Sequence, residues 1–278
     1  MINRHASIGV FDSGMGGLTV LKALKSTLPD ESFIYLGDMA RLPYGTKSQD
    51  TVLQYAIQMT RLLVEREIKA LVIACNTATT ASLPYLQSML PDIPILGVVS
   101  PGAMAAVSAT RNQRIAVLAT ETTIASQAYQ KLIAQQLPDV SIHARACSLL
   151  VALAEEGMVA NAITKEALLH YLKDVRDEDT ILLGCTHFPV FKSMLTSLLP
   201  SHVAVVDSAD ATANALENTL IEHQLLNDST AKRRDTIYLV TDSVQRFKTI
   251  GELFLGESLV NASIELVDAQ ASSLSPIS

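Results

Sequence analysis

Short apolar runs that stop at small polar residues alternate along this chain with stretches whose apolar positions step by three and four. Residues 8–11 form such a run, broken by Asp12-Ser13-Gly14-Met15-Gly16-Gly17; Leu18, Val20, Leu21 and Leu24 then follow at helical spacing. The spacing predicts strand, tight turn, helix. A second strand, 33–36, closes at Gly37-Asp38 and opens a loop carrying Pro43-Tyr44-Gly45. Ser48 is placed to cap the next helix, whose apolar stripe is Val52, Tyr55, Met59 and Leu62. A third strand, 71–74, runs into Cys75-Asn76-Thr77, and a fourth covers 94–98. Ser100-Pro101 reads as a helix start, a cap followed by proline at the first helical position.

A second series opens with a strand at 115–118 that ends in Ala119-Thr120. Strands are predicted at 140–144, 180–183 and 204–206, with helical patterns at 164–173 and 189–199. A helix over 207–226, a strand at 236–240, a helix at 244–254 and a strand at 263–267 complete the pattern; 272–278 reads as a frayed tail. Alternation of this kind implies an α/β fold, with mainly parallel sheets flanked by helices. In such sheets ligands collect beyond the carboxyl ends of the strands. Asp12, Asp38, Cys75, Thr120 and Cys185 all fall at such ends. Each series holds one strand-end cysteine, so the chain reads as two similar halves facing each other.

Composition narrows the function. The chain has 278 residues, about half of them apolar, enough for a large core. Its net charge of −7 argues against a surface that tracks nucleic-acid phosphates, and the absence of tryptophan argues against base-stacking platforms. The apolar-leaning stretch 95–109 is interrupted by Pro101 and Gly102 and is too short to span a bilayer. Three cysteines make no disulfide framework, and residues 1–7 contain no apolar leader core. The expectation is a cytoplasmic protein with reduced thiols.

Cys75 and Cys185 stand out because each follows an apolar strand and is followed by polar residues, Asn76-Thr77 and Thr186-His187. Cys147 lacks such company and reads as structural. Cys185 and His187 could ligate a metal, but no spacing supplies the rest of a zinc set. They could form a Cys/His nucleophile, which leaves Cys75 idle. A third reading uses both thiols, one removing a proton from a carbon and the other returning one to its opposite face. A thiol near pKa 8.5 is within reach of either state at neutral pH. The turn at residues 12–17 misses the full dinucleotide pattern because Thr19 stands at its last place; its amides could hold a carboxylate. His187 could equally be a core histidine, Asp12 a helix cap, and Pro43-Tyr44-Gly45 an ordinary turn.

Five stretches in order carry a resemblance. They are Asp12 to Gly17; Gly37-Asp-Met-Ala-Arg-Leu-Pro-Tyr-Gly45; Ala74-Cys-Asn-Thr-Ala-Thr-Thr80; Thr120 with Thr123 and Ser126; and Gly184-Cys-Thr-His-Phe-Pro189. Together the chain resembles the glutamate racemases of the cofactor-independent aspartate/glutamate racemase superfamily. The resemblance implies two pseudo-symmetric α/β domains with the active site in the cleft between them. With the strand pattern, it divides the chain into residues 1–98 and 209–278, carrying Asp12 and Cys75, and residues 99–208, carrying Cys185 and His187. It implies Cys75 and Cys185 as the catalytic pair, Cys75 acting on D-glutamate and Cys185 on L-glutamate, with Asp12 and His187 assisting. Substrate contacts are implied for Asp12, Ser13, Pro43, Tyr44, Gly45, Asn76, Thr77, Thr120, Thr186 and His187. Glu155 matches a further helper acid, although Ser148 and Ala152 depart from the family's proline-bearing pattern nearby. The reaction implied is interconversion of L- and D-glutamate without a cofactor or metal, supplying D-glutamate for peptidoglycan, by a homodimer in the cytoplasm. Rival readings are an aspartate racemase, a Cys/His hydrolase with one essential cysteine, and a glutamate-binding sensor without turnover.

Overall fold

The computed structural model describes residues 2–227 and 236–269. The first series folds as β1 (Ile8–Asp12), α1 (Leu18–Thr27), β2 (Phe33–Gly37), α2 (Gln49–Val64), β3 (Ala70–Ile73), α3 (Asn76–Met89) and β4 (Ile95–Gly97). The second comprises α4 (Val99–Ala109), β5 (Arg114–Ala119), α5 (Glu121–Ser126), α6 (Ala128–Gln136), β6 (Ser141–Ala146), α7 (Ser148–Glu155), α8 (Ala162–Leu172), β7 (Thr180–Gly184), α9 (Lys192–Leu198) and β8 (Ala204–Asp207). The chain then returns through α10 (Ala209–Glu222) to β9 (Thr236–Val240), α11 (Val244–Leu255) and β10 (Ile264–Leu266).

Among the described residues the strands form two sheets, in the orders β10-β9-β2-β1-β3-β4 and β6-β5-β7-β8. Every pairing is parallel. The order β2-β1-β3-β4 recurs as β6-β5-β7-β8, so β3 and β7 are counterparts, and the cysteines follow these two strands. In each sheet the chain steps from the inner strand to one neighbour and then crosses to the other side. That reversal leaves a crevice at the carboxyl ends of β1 and β5. All five residues of β1 are buried, as a parallel strand covered on both faces requires. Helix α10 packs on α1 of the first half and α4 of the second.

Several boundaries depart from the sequence pattern. The predicted helix at 189–199 is a 3₁₀ turn, Phe188–Phe191, followed by the short α9. Helix α4 begins before Ser100-Pro101, which places the proline inside the first turn; its missing N–H costs nothing there because first-turn amides have no intrahelical acceptor. The helix predicted over 207–226 spans only Ala209–Glu222. Ser48 caps α2 as expected, its hydroxyl accepting from the Thr51 amide at 3.2 Å. The tail at 272–278 lies outside the described residues.

The two cysteine strands are anchored differently at their amino ends. Lys69, just before β3, is fully buried; its ammonium lies 2.5 Å from Glu31 and donates to the carbonyls of Arg4 and Leu225. Asp179, just before β7, accepts from the Thr110 and Thr180 hydroxyls and from the amides of Arg111 and Asn112. Burial opposes ionisation of Asp179, but these four donors outweigh it and hold its carboxyl below the usual range.

Candidate active site

Residues from both series line one cavity of about 20 Å³, room for about one water molecule. Cys75 and Cys185 are both on its wall. So are Ser13 from the glycine turn, Pro43, Tyr44 and Gly45 from the loop after β2, and Asn76 and Thr77 from the start of α3. The second series contributes Thr120, Val151, Thr186 and His187. Val151 carries no sequence signal of a site; it is one more apolar position on the helical stripe of α7.

Cys75 is the N-cap of α3. Its sulfur accepts from the Ala78 amide at 3.4 Å and lies 3.5 Å from the Ser13 hydroxyl, to which it donates. Burial, and then the charge of Asp12, push this thiol up to about 12 despite the amide at the helix end. Cys75 is therefore a neutral thiol at pH 7.

Cys185 follows β7 directly, and its sulfur lies 3.8 Å from His187 Nδ1. The other ring nitrogen, Nε2, is 2.6 Å from Oε1 of Glu155, at the end of α7. Burial alone would lower the imidazole pKa. The hydrogen bonds and negative charges of Cys185 and Glu155 outweigh it and hold His187 well above an ordinary histidine. Both ring nitrogens thus have an acceptor within reach, which favours the imidazolium with both donating. Phe254 of α11 meets its ring edge-on at 5.4 Å, which fixes the ring plane. Nothing in the local pattern marks Phe254, which reads as an ordinary core position.

Asp12 is fully buried one layer behind the cavity wall. Its carboxylate accepts from the amides of Gly14 and Gly17 and, at 3.2 Å, from the Thr186 hydroxyl. Two of the turn amides that could have held a substrate carboxylate are thus used by the chain's own Asp12. Burial raises the Asp12 pKa; the His187 charge and these donors oppose the rise. Gly16 and Gly17 of this turn are required by close approach. A Cβ at Gly16 would stand 2.4 Å from His187 Nδ1 and 2.6 Å from the Thr186 hydroxyl.

The loop after β2 is tied down by Asp38. Buried Asp38 accepts from Tyr44, from Arg41 Nε at 2.6 Å and from the Thr241 hydroxyl at 2.9 Å. Residues Tyr44–Thr46 form a 3₁₀ turn that presses Gly45 against Thr120, where a Cβ would meet the threonine at 2.5 Å. Across the halves, Thr77 lies within 2.8 Å of Thr120 and 3.1 Å of Thr123, oxygen to oxygen. Asn76 Oδ1 accepts from Tyr129 at 2.6 Å, while its Nδ2 is buried without a partner among the described residues. Cys147 lies in the core, as its sequence context suggested, and burial pushes its thiol up to about 12. Among the described residues no group of three or more His, Cys, Asp or Glu side chains is placed to hold a metal ion, and no helix is long and apolar enough to cross a membrane.

The family described as Asp/Glu/Hydantoin racemase matches residues 8–216. The chain belongs to this racemase family. Curated relatives include a glutamate racemase of Geobacter metallireducens, 44% identical over 91% of this chain and 94% of that protein. A glutamate racemase of Neisseria meningitidis is 42% identical over 96% of this chain and 98% of its own length. Among solved structures, the glutamate racemase of Francisella tularensis in complex with D-glutamate superposes with a TM-score of 0.89 at 35% identity, covering 96% of this chain and 99% of that one. The two-domain α/β fold of these racemases is the fold described above, with its paired parallel sheets.

Proposed function

We propose that this racemase interconverts L- and D-glutamate by moving the α proton between two thiols on opposite faces of the carbon. Cys75 removes it from D-glutamate, Cys185 removes it from L-glutamate, and in each direction the other thiol protonates the far face. The observation that carries the reading is that both cysteines line one cavity from the equivalent ends of β3 and β7. The strand order repeated in the two sheets supports an acid and a base approaching from opposite sides, which racemisation needs and hydrolysis does not. The activity printed for the relatives supports glutamate as the substrate.

Catalysis needs one thiol and one thiolate at the same time. The protonated Cys75 and the imidazolium beside Cys185 support that division in the resting site. Asp12 and His187 act as the assisting groups, and Glu155 holds the imidazolium from behind. Ser13, Asn76, Thr77, Thr120, Thr186 and the loop Pro43-Tyr44-Gly45 supply the polar wall that meets the two carboxylates. A cavity that holds one water admits glutamate only as its walls part, so the contacts between the halves are those that yield on entry. The product serves peptidoglycan synthesis in the cytoplasm, and the expected assembly is a homodimer, which sedimentation would read.

The test is wild-type enzyme in deuterium oxide with each enantiomer in turn. Deuterium should enter the α position in the product formed from either. Racemisation of aspartate at a comparable kcat/KM, or full activity with only one of the two cysteines present, would overturn this reading.

A further inference from the structure

Asn76 presents an asymmetry that the two-thiol reading does not explain. Its side chain is 2% exposed, and its Nδ2 has no partner among the described residues, although the residue lines the cavity. A buried amide group left unpaired is costly unless something else pairs it. Its Oδ1 accepts a hydrogen bond from the Tyr129 hydroxyl at 2.6 Å. Asn76 follows β3 in the first sheet, whereas Tyr129 lies on α6, between β5 and β6 of the second. One half therefore holds the binding amide of the other.

An asparagine amide has nearly the same shape in its two flipped states, so shape alone does not decide which atom faces the cavity. Tyr129 decides it. The phenol is 1% exposed, and burial, then the negative charges of Cys185 and Asp207, raise its pKa, so it is neutral and keeps its proton. Asn76 Oδ1 is the only acceptor for that proton among the described hydrogen bonds. The hydroxyl is hemmed in by Gly102, where a Cβ would come within 2.9 Å of it, and the ring by Gly184, where a Cβ would come within 2.9 Å of Cε2. With the phenol fixed as donor, Oδ1 must face it, and the two N–H bonds of Nδ2 must face the cavity. The opposite flip would aim an oxygen at an anionic substrate.

We infer that Tyr129 is a positioning residue: its hydroxyl fixes the Asn76 amide so that Nδ2 donates to a carboxylate of the substrate. This rests on the glutamate reading above. Because the bond joins the two halves, the amide is set correctly only when they are together, which couples substrate grip to closure.

Steady-state racemisation of both enantiomers by the wild type, Tyr129→Phe, Asn76→Ala and the double variant tests this, with thermal melting measured alongside. Tyr129→Phe should raise KM about tenfold for both enantiomers and change kcat by less than about threefold, because a carboxylate contact made throughout the reaction is lost as binding. In the Asn76→Ala background the same change should add less than about twofold. Asn76→Asp retains an acceptor for Tyr129 but aims a second oxygen at the substrate, and should raise KM more than Tyr129→Phe does. An unchanged KM in Tyr129→Phe overturns the inference, as does an equal penalty with and without Asn76, or wild-type KM in Asn76→Asp. If Tyr129→Phe does not fold, Asn76→Asp carries the test alone. If the wild type itself fails to racemise glutamate, the functional reading falls first, and the two failures are told apart by that control.

Discussion

Cys75 and Cys185 hold equivalent positions in two sheets of like order, yet their surroundings share almost nothing. Cys75 caps a 14-residue helix, touches a hydroxyl and an amide, and faces the buried charge of Asp12. Cys185 opens no long helix; a 3₁₀ turn follows it, and an imidazolium backed by Glu155 lies beside its sulfur. The topology supplies symmetry of position, and side chains supply asymmetry of charge. A reaction that runs both ways through an acid and a base needs both features. In the proposed reaction, opposed positions would reach both faces of one carbon, while unequal charge would let one site start protonated.

The sharpest test of the comparison replaces each cysteine by serine. Either change should lower racemisation by about 10³-fold or more, because a hydroxyl near neutral pH is a far poorer acid and base than a thiol. Solvent exchange of the α proton should survive in each variant from one enantiomer only, a different one in each. Near-normal racemisation by Cys75→Ser would reduce the pair to a single working thiol.

The next test separates the assisting groups. Two enantiomers have an equilibrium constant of one, so any variant must keep kcat/KM equal in the two directions. The asymmetry must appear in kcat and KM singly and in isotope effects. His187→Asn should cost about 10²-fold in kcat from L-glutamate, with a larger α-deuterium effect in that direction; Asp12→Asn should show the reverse bias. The pH profile follows from the same charges. His187, raised above an ordinary histidine, remains an imidazolium through neutral pH, so activity that depends on it should persist there and fall only in alkali. His187→Asn should remove that alkaline limb. A variant with the same limb would assign it elsewhere.

The anchors at the far ends of the same strands extend the comparison to stability. Asp179 has its pKa depressed in the fold, so the stability it contributes is present above the ordinary carboxylate pKa and is lost as pH falls through the lower folded value. Asp179→Asn should therefore cost about 2 kcal/mol at pH 7, where charged acceptors are worth most, and flatten the acid limb of denaturant melts. Stability equal to wild type at pH 7 would remove Asp179 from this account.

Thr186→Ala has the smallest expected effect. It cuts the one hydroxyl that joins the Cys185 segment to Asp12 on the Cys75 side. A fall of about tenfold in kcat/KM is expected, matching about 1.4 kcal/mol for a lost bond to a carboxylate. Unchanged kinetics would show that the two sides do not communicate through this contact.

The sequence itself determined the alternation of strands and helices, the parallel class of the sheets and both strand-end cysteines. Local patterns decide these. A strand buried on both faces must be a continuous apolar run, as β1 and β7 are, and polar residues right after such a run have no place in a core. The spacing also exposed the turn at residues 12–17, although the use of its amides by Asp12 was hidden. Only the tertiary structure decided that β3 and β7 are counterparts, because strand order depends on crossovers that leave no local trace. The same holds for Val151, Phe254 and Tyr129. In the chain they are ordinary apolar and aromatic positions on helices, and they gain a role only through partners far away in sequence. Glu155 is a related case: only the family resemblance marked it in the sequence, and the fold is what buries it 2.6 Å from His187. Charge and hydrogen bonding act through distance in space, so the fold must exist before these residues have anything to act on.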